Sequence, residues 1–199
     1  MILSNDDIRK AIESGEIEIT PRPGVEQYAP SSLDLTLGNS FKVWDESKFK
    51  TAGVEINLDL SKQDFITTAK AFLTDLKPLE DGTIVLPPYR VAQFHLLAIT
   101  HEKVHLKKQA ALAARVEGRS SFARLGLTVH LTAPTIQCGF RGPITLEMIN
   151  VGPFYLKLVP EKTRICQLIF EKVQSEPTEE IKSRFQDQDS PAGKETRKQ

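Results

Sequence analysis

Along much of this chain apolar residues fall at every second position. Leu33, Leu35 and Leu37 alternate with Asp34 and Thr36 ahead of Gly38-Asn39, the pattern of a half-buried strand that ends in a turn. The same β rhythm runs through Ile17-Glu18-Ile19, Ile84 to Leu86, Val91 to Thr100, Val104 to Leu106, Ala111 to Val116, Tyr155 to Leu158 and Arg164 to Phe170. Many short strands punctuated by Gly and Pro predict a mainly β sandwich or barrel. Near the start, Ser4 and Asp7 have the spacing of a capping box, Ile8, Ala11 and Ile12 follow at helical spacing, and Gly15 stands where a short helix would end. Phe41 to Trp44 suggests another strand, whereas Phe65 to Leu76 has no clean period and reads as an insertion. Beyond Val173 the chain turns to Glu, Lys, Gln, Ser and Pro with isolated Ile181 and Phe185, too little apolar surface to order itself unaided. The division is therefore a domain over 1–173 and a flexible tail over 174–199.

Composition narrows the function. In 199 residues, 40% hydrophobic, there is core material for one domain. The 26 basic and 26 acidic side chains cancel, so no overall field draws the chain to nucleic acid or anionic lipid, and an anionic substrate must be met by a local cluster. No apolar run reaches membrane-spanning length and Met1 to Asp7 lacks the basic start of a signal peptide, which points to the cytoplasm. Cys138 and Cys166 read as free thiols in a chain that needs no disulfide framework.

A local cluster does occur. Arg119, Ser120, Ser121 and Arg124 follow Gly118 so closely that one turn can present two guanidinium forks, two hydroxyls and free amides, an inventory suited to phosphate. Further on, Gly139 to Pro143 makes a sharp turn into Ile144-Thr145-Leu146-Glu147, with Ile144 and Leu146 on one face and Thr145 and Glu147 on the other, Glu147 at the strand's end. His101-Glu102-Lys103-Val104-His105 matches a zinc-peptidase motif, but that motif needs a helix and these residues continue a β pattern. The H-x-E and P-C-x-x-C elements of the zinc deaminases are missing from the sequence.

The stretches GRSSFARLGL, HLTA and GFRGPITLE, together with ILSNDDIRKAIESGEIEITPRPGVEQYAPSSLDLTLGN at the start and RICQLIFE near residue 167, resemble the dCTP deaminases, cousins of the trimeric dUTPases. The resemblance implies a dUTPase-like distorted barrel or jelly roll, assembled as a homotrimer whose active sites are shared between subunits. It implies zinc-independent deamination of dCTP to dUTP with Mg²⁺ on the triphosphate. Glu147 would be the acid–base group, Ser120 would position the water, Arg124 would stabilise charge, and the Ala133 carbonyl would accept a hydrogen bond from the water or the leaving amine. Arg119 and Ser121 would hold phosphates, and backbone at Thr145 and Leu146 would read the pyrimidine. The tail resembles the family's closing K-Y-x-x-Q segment, with Arg184 and Phe185 in place of Lys and Tyr, so that Arg184 and Gln188 would serve as a lid. Gln137 stands where relatives carry an Asp that bonds the deoxyribose 3′-hydroxyl. The alternatives are a dUTPase or a bifunctional enzyme giving dUMP, a non-catalytic nucleotide binder, and the zinc peptidase.

Overall fold

The β rhythm becomes a curled, barrel-like sheet in a computed structural model that describes residues 1–50, 56–62, 64–181, 183 and 185–194. The first helix, α1 (Asn5–Glu13), forms as its sequence predicts. Ser4 Oγ accepts from Asp7 N–H at 3.2 Å while the Asp7 carboxylate accepts from Ser4 N–H at 3.2 Å, and Gly15 exits with φ +75°. Then come β1 (Ile17–Thr20), β2 (Tyr28–Ala29), β3 (Ser32–Trp44), the short helices α2 (Glu46–Lys50) and α3 (Phe65–Phe72), β4 (Leu73–Asp75) and β5 (Ile84–Leu86). The second half holds β6 (Leu96–Leu106), β7 (Leu112–Gly118), α4 (Ser120–Ala123), β8 (Leu127–Thr128), β9 (Thr135–Ile136), β10 (Arg141–Asn150), β11 (Leu156–Leu158) and β12 (Arg164–Lys172). The main path runs β8-β10-β6-β3-β12-β7-β9, with β1 beside β6 and with β2 and β4 beside β3, while β5 and β11 pair separately. No helix among the described residues is long and apolar enough to cross a membrane.

Leu33, Leu35, Leu37, Leu96, Leu106, Leu146, Leu168 and Phe170 fill the core, so truncating any one to Ala is expected to cost about 2–5 kcal/mol. Cys166 is buried among them and Cys138 is half-buried, both as free thiols. Burial in the apolar core pushes the Cys166 thiol far above its ordinary range.

Three local readings change in three dimensions. Gly38-Asn39 is no turn: β3 continues through it to Trp44, with a register shift between Leu37 and Phe41 where Gly38 lies so close to β6 that an added Cβ would sit 2.8 Å from the Ile99 carbonyl. Nor is β3 half-buried, since Asp34 and Thr36 are covered as well. Glu102, 2% exposed, accepts from Thr36 N–H at 2.7 Å and from Gln27 Nε2 at 2.8 Å, which makes it a buried structural carboxylate. The metal-motif residues therefore lie on strand β6. Four strand positions separate His101 and His105 by about 13 Å, against about 6 Å on a helix, and each imidazole faces a different carboxylate, Glu161 at 3.8 Å and Glu18 at 3.1 Å. The zinc-peptidase reading ends there. Finally, β6 begins at Leu96 and not at Val91, because residues 87–95 loop away from the sheet.

Candidate active site

Glu147 lies inside β10 and not at its end, because the strand continues to Asn150. Alternation does the rest: Ile144, Leu146 and Met148 are buried, and Thr145 and Glu147 turn to the other face. The segment after β8 crosses this face, where Glu147 N–H donates to the Val129 carbonyl at 3.1 Å and Glu147 Oε2 accepts from Leu131 N–H at 3.1 Å. Among the described residues Oε1 has no hydrogen-bond partner. One oxygen is thus fixed and the other is open, as a proton-transferring carboxylate requires. Burial lowers the pKa of His95, while the charge of Glu147 pulls it the other way.

A pocket of about 420 Å³ opens over this face. Its wall gathers Thr145, Glu147, Ala133 and Gln137 from the expected residues, with Gln188 from the tail. Leu146 is fully buried in the core and its neighbour across the ladder is Ala98, which leaves only its backbone on offer to a ligand. His130 also lines the pocket. Its Nδ1 is buried without a partner and its Nε2 is 4.0 Å from Glu117.

The phosphate-type cluster folds as expected into one turn, α4, with Arg119 as its N-cap residue and Arg124 as its C-cap. None of Arg119, Ser120, Ser121 and Arg124 lines the pocket of Glu147, and no Arg or Lys among the described residues does. Ser120, Ser121 and Arg124 are exposed. Two glycines anchor the turn to the far end of β10: Val151 N–H donates to the Gly126 carbonyl at 2.8 Å, a Cβ on Gly126 would stand 2.2 Å from Gly152 N, and one on Gly152 would stand 1.8 Å from the Leu125 carbonyl. With φ +94° at Gly126, both the angle and the space exclude a side chain.

The tail is held in place by partners elsewhere in the chain. A register shift between Pro143 and Thr145 sends Ile144 N–H to Thr100 Oγ1 and leaves the Pro143 carbonyl and Thr145 Oγ1 to accept from Gln188 Nε2 at 2.8 and 3.0 Å. Gln186 accepts from Arg141 N–H and donates to the Gly139 carbonyl, and Asp187 N–H donates to the Arg141 carbonyl at 2.7 Å. The Arg141 guanidinium forms a fork with the Asp187 carboxylate and holds its pKa below the usual range. Phe185 packs on Phe65 of α3, centroids 5.7 Å apart, and both line the pocket. Sequence reasoning missed Phe65, although its place in the aperiodic 65–76 stretch beside a solitary tail Phe was a usable sign. Arg184, expected in the lid, lies outside the described residues.

With this geometry in view, comparison with known proteins gives a consistent result. Residues 2–173 match the model of the dCTP deaminase-like family. The chain is 39% identical over 175 residues to a dUMP-forming dCTP deaminase of Methanothermobacter thermautotrophicus, covering 87% of this chain and 80% of that protein. It is 38% identical to a dCTP deaminase of Rhodospirillum rubrum, covering 88% and 84%. Its fold is similar to the crystal structure of the Agrobacterium tumefaciens 2′-deoxycytidine 5′-triphosphate deaminase, TM-score 0.61 at 21% identity, over 85% of this chain and about half, 47%, of that one.

Proposed function

The chain belongs to the dCTP deaminase-like family, and from that premise we propose that it hydrolyses dCTP to dUTP and ammonia. The observation that carries the reading is Glu147, one oxygen held by Leu131 N–H and the other without a hydrogen-bond partner among the described residues, on the wall of a pocket of about 420 Å³. C4 of cytosine resists water until the water loses a proton and ring N3 gains one, and a single carboxylate can do both in turn. In this reading Ser120 positions the water and the Ala133 carbonyl accepts from it or from the departing amine. Arg124 stabilises charge at the reacting centre. Arg119 and Ser121 hold phosphates, backbone at Thr145 and Leu146 reads the pyrimidine, Gln137 bonds the sugar, and Arg184 and Gln188 close the lid.

The reading needs a second copy of the chain. The Glu147 pocket has no guanidinium among its described lining residues, while the Arg119–Arg124 turn stands in solvent beside exposed Leu125, Val151, Phe154 and Tyr155. An apolar patch of that kind beside an incomplete site supports a homotrimer in which one subunit's turn completes its neighbour's pocket. In this reading Mg²⁺ arrives on the triphosphate and is held mainly by it. We place the enzyme in the cytoplasm, with no nucleic acid or membrane as partner.

Release of dUMP is the second reading, favoured by the name of the Methanothermobacter relative. Hydrolysis at the α-phosphate needs a base for a second water, and the neutral amide of Gln137 is none, so dUTP is the expected product. The test is to incubate the purified chain with dCTP, dUTP, CTP and dCMP in Mg²⁺ and to measure ammonia and pyrophosphate. Ammonia from dCTP supports the proposal. Pyrophosphate from dUTP without ammonia from dCTP would make the chain a dUTPase, and neither product would leave a nucleotide binder.

A further inference from the structure

Strict alternation along Arg164-Ile165-Cys166-Gln167-Leu168 would put Arg164 on the core side with Cys166 and Leu168. The ladder does not allow it. Against β3, Leu168, Gln167 and Cys166 pair with Leu33, Asp34 and Leu35, and after a register shift Arg164 pairs with Thr36. The extra residue, buried Ile165, turns Arg164 onto the face of Asp34 and Thr36, re-aiming a side chain as bulges do. There the Asp34 carboxylate, its side chain only 10% exposed, holds two guanidiniums by one oxygen: Arg119 Nε at 3.4 Å and Arg164 Nη1 at 3.5 Å.

The rest of the cluster is fixed and incomplete. Arg119 Nη1 donates to the Arg164 carbonyl at 3.0 Å, and Arg164 Nη1 donates to the Glu26 carbonyl. Among the described residues Arg119 Nη2 and the Nε and Nη2 of Arg164 have no partner, and the two side chains are 27% and 37% exposed. Two positive charges face one negative charge, beside the exposed hydroxyls of Ser120 and Ser121. A carboxylate serving only as an ion-pair partner would be satisfied by one bidentate arginine. Here it is shared, and it leaves a pair of pre-oriented forks with spare donors, the complement of a polyphosphate.

We infer that Arg164 is a second guanidinium of the phosphate subsite around Arg119, and that Asp34 is the positioning residue that holds both arginines in place. The inference rests on the proposed binding of a nucleoside triphosphate, but it concerns only the phosphate end. It gives the bulge in β12 a purpose and adds two residues to the site, drawn from strands far from α4 in sequence.

The test uses inorganic tripolyphosphate as probe, by calorimetry in Mg²⁺ buffer, alongside steady-state kinetics with dCTP and inhibition by dCMP. Arg164→Gln should weaken tripolyphosphate binding and raise the dCTP KM by roughly tenfold to a hundredfold, the loss of charge-assisted bonds, with kcat and the dCMP inhibition constant changed less than threefold or so. Asp34→Asn should move in the same direction, and its effect should not add to that of Arg164→Gln, because both act through one cluster. Should Arg164→Gln not fold, Arg164→Lys keeps the charge beside Asp34 and should still lose several-fold in tripolyphosphate affinity. If the Arg164 variants lower the melting temperature but leave the dCTP KM and tripolyphosphate binding unchanged, Arg164 is a structural ion pair and the inference fails, while dCTP deamination by the wild type stands. If the wild type binds tripolyphosphate through Arg164 but releases no ammonia from dCTP, the inference stands and the proposed reaction fails.

Discussion

Glu147 sits in the middle of a ten-residue strand, paired with β6, crossed by the Val129–Leu131 segment and roofed by the tail, whereas Arg124 ends a four-residue turn with its side chain in solvent. The carboxylate half of the site is built from elements of one chain. In the guanidinium half, Arg119 is tethered through Asp34 and Arg124 is exposed. The difference teaches where each kind of chemistry has to be prepared. A proton shuttle depends on tenths of an ångström, so its group belongs on a packed strand. Phosphate contacts act at longer range, and under the proposed trimer they would tolerate a turn that finds its partner on assembly.

The sharpest way to break this comparison is Glu147→Gln. The amide keeps the bond to Leu131 N–H but cannot shuttle protons, so kcat should fall by roughly 10²–10⁴-fold while dCTP binding, followed by calorimetry, stays close to wild type. Retention of more than about a hundredth of the wild-type rate would remove Glu147 from the acid–base role, since that is the low end of such catalysis. Next in size is removal of residues 174–199. The tail roofs the pocket through Gln188, Phe185 and the Arg141–Asp187 fork, and its loss should raise the dCTP KM by roughly tenfold or more, the worth of one or two such bonds. The melting temperature should move little, because the core lies beneath the sheet. An unchanged KM would reduce the tail to a bystander.

Gln137→Asp should have a smaller and qualitative effect. It supplies a carboxylate on the pocket wall, and ion-exchange separation of the products of complete dCTP turnover should then show some dUMP beside dUTP. Stoichiometric pyrophosphate and dUMP from the wild type would mean that another base is at work. The smallest effect is a control outside both halves. Asp81 accepts from Lys157 Nζ at 2.6 Å and from Thr83, which ties the approaches to β5 and β11 and lowers its pKa to about 2, the lysine being the larger cause. A depressed carboxylate pKa contributes stability that is complete above its unfolded value near 4 and is lost as pH falls through about 2. Between those values the melting temperature of the wild type should fall more steeply than that of Asp81→Asn, with deamination near neutral pH the same in both. Equal slopes would mean that the Lys157 pair is not formed in solution.

Much was legible from the residues alone where the cause is local. The Ser4–Asp7 box needs four residues, the faces of Ile144 to Glu147 need only the two-residue period, and the Arg119–Arg124 stretch needs little more than one helical turn, so each was visible in the string of letters. The chemistry-bearing residue types were visible for the same reason. What the sequence could not disclose depends on partners far along the chain. Gly38 is a bulge and not a turn because β6 passes close behind it, and Glu102 is structural because Gln27 and Thr36 reach it across the sheet. The tail looks too polar to order itself, and Phe65 and the acceptors at Pro143 and Thr145 give it partners from outside. A period of two tells which face a side chain takes only until an extra residue enters the ladder. The extra residues after Leu37 in β3, opposite Ile144 in β6 and at Ile165 in β12 are set by which strand lies alongside, and only the tertiary structure decides that.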